Sequence, residues 1–135
     1  MEIFDPYSHA LASLAGFAIL MSVLGFLSVG GLTAENRTES GLPKRNYDDV
    51  GYRRSRAFQN AIESIGPFIA ALLAAILTGG SPFWVNLFAS VFLVARIATA
   101  AVHIGTTNQG LRSATWAVGL ACVLCLAVIG IKGAF

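Results

Sequence analysis

Four long apolar stretches alternate with polar ones along this chain, and their lengths set the expected architecture. Ala10 to Leu32 is an uncharged run of 23 residues, close to the roughly 20 that a helix needs to cross a hydrocarbon core of about 30 Å. Thr33 to Arg54 is polar, carries most of the charge and contains Gly-Leu-Pro and a Tyr-Asp-Asp cluster, which predicts an extramembrane loop. Ala57 to Leu77 predicts a second span, polar in its first two turns and purely apolar afterwards, with Pro67 predicting a kink where the character changes. Thr78 to Pro82 is a tight Gly-Gly turn, so the second and third spans form an antiparallel hairpin, and Pro82 suits the first turn of the helix that follows. The third span runs from Phe83 to Ile104, and Gly105 to Gly110 is a short polar connector. Arg112 and Ser113 then open a fourth span that reaches Ile131. The expected fold is all-α: an integral membrane four-helix bundle forming one domain over residues 1–135, with transmembrane helices at 10–32, 57–77, 83–104 and 113–131 and a loop at 33–54.

Composition agrees with a membrane protein, since 56% of the residues are hydrophobic and only 12% charged, too apolar for an ordinary soluble domain of this size. The first apolar run is longer than the core of a signal peptide and is preceded by Glu2 and Asp5 rather than by Lys or Arg, so it is expected to stay in the mature protein. Gly16, Gly25 and Gly30, with several Ala and Ser residues, let neighbouring helices approach closely. The nine Lys and Arg residues form no surface with interleaved aromatics, which argues against nucleic acid as a partner. Cys122 and Cys125 lie in an apolar run without a second ligand pair and are expected to pack rather than to bind metal or cycle between redox states.

Basic residues give the orientation. Arg37, Lys44, Arg45, Arg53, Arg54 and Arg56 gather in and just after the first loop, whereas the N-terminal tail and the Thr78 to Pro82 turn have no Lys or Arg. The positive-inside rule then puts this loop in the cytoplasm and both termini on the opposite side, in the inner or plasma membrane if the source is bacterial. The glycosylation acceptor pattern Asn36-Arg37-Thr38 is silent on that topology.

The chemistry sits in Arg53 to Phe68. As a helix, Arg56, Asn60, Glu63 and Pro67 fall at spacings of four, three and four and share one face. Charge at membrane depth is costly, so such residues face a bundle interior or an aqueous cavity, and Glu63 is a functional candidate by default. Its structural alternative is an Arg–Glu pair that glues two helices together. Arg96, Thr99 and His103 form a second stripe on the third span, at the depth of the first. Arg96 either pairs with Glu63 or snorkels toward the headgroups, and His103 is either an interfacial helix-end residue or part of the stripe's site. Arg112 is either a cytoplasmic anchor or a member of the same group.

Arg56, Ala57, Asn60, Glu63, Pro67 and Phe68 together spell a pattern that resembles the family of membrane-associated proteins in eicosanoid and glutathione metabolism (MAPEG), which includes microsomal glutathione transferases and leukotriene and prostaglandin synthases. The resemblance extends over the whole chain in length and helix count. It implies four-helix protomers assembled as homotrimers, with glutathione bound between neighbouring subunits near the cytoplasmic face. The family's glutathione-binding Arg, Asn and Glu fall on Arg56, Asn60 and Glu63, its third-helix Arg falls on Arg96, and its thiol-activating Arg on Arg112, followed by Ser113. Two departures stand out: Tyr52 replaces the Glu that many members place before the first Arg of the motif, and His103 replaces a glutathione-contacting Tyr. Thr99 stands where some eicosanoid synthases carry an aromatic residue, so a general detoxifying activity is expected rather than a dedicated leukotriene or prostaglandin synthase.

The residue types fit that implication. Guanidinium groups grip carboxylates, Glu63 accepts from an ammonium, and Asn60 supplies a donor and an acceptor, which suits a small ligand with several charges such as glutathione. A cation near its sulfur favours the thiolate, and apolar clefts between the helices suit a lipophilic electrophile. The expected site therefore comprises Arg112 and Ser113 as catalytic residues, Arg53, Arg56, Asn60, Glu63, Arg96 and His103 as glutathione ligands, and no metal. The expected enzyme is a membrane-bound glutathione transferase or peroxidase acting on lipophilic electrophiles. Two other classes also accommodate the sequence: a small transporter or channel, and a non-catalytic assembly protein. Against transport, the polar residues stop about halfway along the spans.

Overall fold

A computed structural model describes residues 2–135, which are all-helical apart from turns and one isolated bridge between Arg37 and Pro43. A short 3-10 segment, Glu2–Tyr7, leads into α1 (Ser8–Val29), and α2 (Val50–Leu77), α3 (Pro82–Gly105) and α4 (Gln109–Ala134) follow. All four α-helices are long and apolar enough to cross a membrane. α2 and α3 form the central pair, with α1 against one side of it and α4 against the other.

Helix ends differ from the sequence expectation for local reasons. α1 stops at Val29 because the chain turns extended at Gly30 and then left-handed at Gly31, where φ is +88°, a conformation glycine adopts without a Cβ clash. Arg54 Nη1 donates to the freed Gly30 carbonyl at 3.2 Å. α2 begins at Val50, ahead of the apolar run, because the Asp49 carboxylate accepts from Gly51 N at 2.8 Å and caps the helix. Arg53, Arg54 and Arg56 are therefore helical, and the loop is shorter than the composition indicates. The loop is itself folded: Asn36 Oδ1 accepts from Thr33 N, Asn36 Nδ2 donates to Gly31 O, and Thr38 N donates to Leu42 O. α4 is capped by Asn108, whose Oδ1 accepts from Leu111 N at 3.0 Å.

α2 runs unbroken through Pro67. Proline has no N–H to give the carbonyl four residues back, so Glu63 O lacks its helical partner at the depth where α2 changes from polar to apolar. Directly below, Phe17, Phe68 and Phe92 tie α1, α2 and α3 together. Phe68 and Phe92 stack with centroids 3.8 Å apart, and Phe17 meets each edge-on. Such pairs contribute about 0.5–1.5 kcal/mol beyond their buried area. At the opposite end from the loop, Asn86 joins the N-terminal segment to α3, accepting from Ala10 N at 2.9 Å and donating to Pro6 O at 2.7 Å. Tyr7 hydroxyl donates to Gly80 O at 2.6 Å, closing that end over the α2–α3 turn.

Gly16 and Gly25 lie at close approaches, as expected of small residues on helix interfaces: a Cβ would stand 2.9 Å from Leu93 at Gly16 and 3.2 Å from Phe58 at Gly25.

Candidate functional site

The loop-side ends of α2, α3 and α4 enclose a cleft of about 360 Å³ lined by Arg56, Asn60, Glu63, His103, Gln109, Arg112, Ser113 and Trp116. That volume lies within the range of small-ligand sites, about 300–1,000 Å³. Six of the eight sequence candidates line it, contributed by three helices. Gln109 and Trp116 complete the wall and were not singled out from the sequence: Gln109 lies in a connector of neutral polar residues, and Trp116 carries the signature of an interfacial aromatic. Glu63 is exposed, and Arg56 Nη1 donates to Gln59 Oε1 at 2.7 Å along its own helix.

Arg96 takes neither of its expected positions. The side chain is 4% exposed, which rules out snorkelling, and its hydrogen bonds go to Asn60 and Ser64 rather than to Glu63. Nη2 donates to Asn60 Oδ1, and Nη1 donates to Ser64 Oγ at 3.1 Å. The physical reason is rotation about α2. With 3.6 residues per turn, Asn60 and Ser64 share a face directed at α3, whereas Glu63 lies about 100° away from Ser64. The polar stripe on α2 thus divides: Arg56 and Glu63 line the cleft, while Asn60 lies between them and the buried guanidinium. Since its amide oxygen accepts from Arg96, Asn60 offers its NH2 as the group that remains. Gly119 on α4 packs against this arrangement, where an added Cβ would stand in ordinary contact, 3.5 Å from Arg96 Nη1.

Arg53 lies outside the cleft lining. Its Nε donates to Ile104 O at 2.9 Å, and its Nη1 donates to Tyr47 O at 2.6 Å and to Asp48 O at 3.0 Å. It clamps the start of α2, the end of the loop and the end of α3 together.

Two polar atoms at the cleft are buried without a hydrogen-bond partner, His103 Nδ1 and Arg112 Nη1. Buried polar groups are ordinarily satisfied, and these two stand unpaired on residues that line the cleft. Below the cleft, sharing Glu63 and Trp116 with it, a second cavity of about 180 Å³ runs between α2, α3 and α4 toward the apolar half. Pro67, Phe92, Leu120 and Val123 give it apolar walls, and Ser64 and Arg96 one polar edge. A polar compartment thus adjoins a largely apolar one.

No curated protein matches the chain. The family model described as the MAPEG family matches residues 10–132, which takes in all but the outer ends of α1 and α4, and with them the cleft and the cavity beneath it. The chain belongs to the MAPEG family.

Proposed function

We propose that this protein is a glutathione-dependent transferase or peroxidase acting on lipophilic electrophiles that reach it from the bilayer. The observation that carries this reading is the pairing of compartments: a cleft with two guanidinium groups, a carboxylate, an imidazole, two amides and a hydroxyl, adjoining a largely apolar cavity. Family membership supports a role in glutathione or eicosanoid metabolism, and no feature here singles out an eicosanoid.

Glutathione, when bound, supplies the nucleophilic sulfur. In this reading Arg56 takes a carboxylate, Glu63 the ammonium, and Asn60 donates its amide N–H, with Arg96 behind it fixing which end of the amide faces the ligand. Arg112 is the cation that stabilises the thiolate, Ser113 adds a hydroxyl donor beside it, and His103 presents Nδ1 from α3. Arg53 acts at one remove, holding the loop on the site. Conjugation forms a sulfur–carbon bond and expels the leaving group with its electron pair. Reduction of a hydroperoxide consumes two thiols and yields disulfide, alcohol and water. The small cavity under Trp116 accommodates the reacting end of the electrophile while its apolar remainder stays in lipid.

The working protein is proposed to be a homotrimer, as the family resemblance implies, with the loop in the cytoplasm and both termini opposite because the basic residues cluster at the loop end. Single cysteines introduced in the loop should then be labelled only from the cytoplasmic side, and those in the Gly79 to Pro82 turn only from the other. Labelling of both from one side would contradict the orientation.

Glu63→Gln preserves shape and removes charge. Loss of a charge-assisted contact costs about 1.5–3 kcal/mol, so glutathione affinity should fall by about tenfold or more with the oligomer and its melting temperature unchanged. Equal affinity in titration calorimetry would remove Glu63 from the binding set.

The reading as a whole is tested by glutathione retention on the purified protein, alongside ion flux after reconstitution in liposomes. Retention without flux is expected. Flux would favour a transporter, and neither retention nor flux would favour an assembly role.

A further inference from the structure

The loop before α2 reaches back to α4 and meets Arg112. The Arg112 guanidinium carbon lies over the Tyr47 ring, 4.4 Å from its centroid. Tyr47 is held from two directions. Its carbonyl accepts from Arg53 Nη1 at 2.6 Å, and its ring meets Tyr52 edge-on with centroids 5.1 Å apart. Arg53 also donates to Ile104 O at the end of α3, so loop, α2 and α3 together fix where the ring stands.

An aromatic face is an unusual support for a cation beside a site, and its chemistry differs from that of a carboxylate. The ring attracts the guanidinium through its quadrupole and leaves the positive charge uncompensated. It also leaves the in-plane N–H groups free, and Arg112 Nη1 is buried with no partner. A carboxylate in the same place would consume both the charge and the donors. Resting on the glutathione-thiolate reading above, we propose that Tyr47 is a positioning residue for Arg112, buttressed by Tyr52, holding the guanidinium at the cleft with its charge uncompensated beside the ligand's sulfur. Tyr52, one of the two departures from the family's pattern, thereby gains a role in this chain.

The full-length protein, reconstituted in lipid, is titrated with pH in the presence of glutathione while thiolate absorbance is followed, for the parent and for Tyr47→Phe, Tyr47→Trp, Tyr47→Leu and Tyr47→Met. Phe and Trp retain an aromatic face and should keep the parent midpoint. Leu and Met, two apolar replacements so that a folding defect in one leaves the other, should raise the midpoint by about half a unit or more, a threefold or greater loss of thiolate at neutral pH. Turnover should fall with it, and KM for glutathione should change less. Parent-like midpoints in the Leu and Met variants would overturn the proposal. A readout independent of glutathione is phenylglyoxal modification of Arg112, mapped by mass spectrometry. It should accelerate in the Leu and Met variants but not in Phe, and equal rates throughout would overturn the contact itself. Absence of thiolate in the parent would instead overturn the functional reading and Tyr47's role in it, with the arginine mapping still deciding whether Tyr47 holds Arg112.

Discussion

Arg112→Ala should still bind glutathione measurably and should lose about tenfold or more of its turnover at neutral pH. Arg112 opens α4 at the cleft, carries a buried Nη1 without a hydrogen-bond partner, and under the proposed function is the cation beside the sulfur. A cation within about 4 to 6 Å of a thiol lowers its pKa by one or more units, each unit being about 1.36 kcal/mol. The sign follows directly. The cation favours the charged form and lowers the pKa, so its removal returns the thiol toward the free value of about 8.5. Only a few per cent of a free thiol is ionised at neutral pH, and the variant should therefore recover turnover as the pH rises toward that value. Arg112→Lys should recover part of the loss at neutral pH, since it restores charge without the planar fork. These outcomes are read from pH–rate profiles under conditions where chemistry limits the rate. Unchanged turnover of Arg112→Ala at neutral pH would make Arg112 a membrane anchor.

Asn60→Ala should destabilise the protein by about 2 kcal/mol as well as weaken binding, because it takes a hydrogen-bond acceptor from a buried cation. Arg96 is 4% exposed and its side-chain partners are Asn60 and Ser64, both neutral. A charge left short of partners in a low-dielectric interior costs more than a charge removed altogether. Arg96→Leu added to Asn60→Ala should therefore restore a good part of the lost thermal stability while leaving glutathione binding weak. Melting temperatures and affinities measured on both single variants and the double variant complete the cycle. Strict additivity of the two stability changes would show that Arg96 and Asn60 are not coupled, and with it that Arg96 does not orient the amide.

The bundle was legible because hydrophobic length alone marks membrane helices, and the cleft because charge is conspicuous against so apolar a background. Arg56, Glu63 and Arg112 could be assigned to one end of the bundle by counting residues. Side-chain partnership was a different matter. Whether Arg96 meets Glu63 or Ser64 depends on how α2 is rotated against α3, and adjacent positions on a helix differ by about 100°. A face four residues wide in sequence therefore hid two faces in space. Tyr47 was invisible for another reason: it lies in a loop, where no periodicity indicates direction, and its contact with Arg112 spans about half of the chain. Asn86 lies within α3, but its bonds to Pro6 and Ala10 depend on where the N-terminal segment lies against that helix. Arg53 shares its charge with the site residues, but its guanidinium serves backbone carbonyls, which composition cannot reveal.

The most direct test of the account is the ultraviolet absorbance of the thiolate on rapid mixing of the purified, lipid-reconstituted protein with glutathione at neutral pH. A site that binds glutathione beside Arg112 should produce a saturable rise in thiolate absorbance, accompanied by proton release and greatly reduced in Arg112→Ala. No rise above that of glutathione in buffer, from a correctly assembled protein, would contradict it.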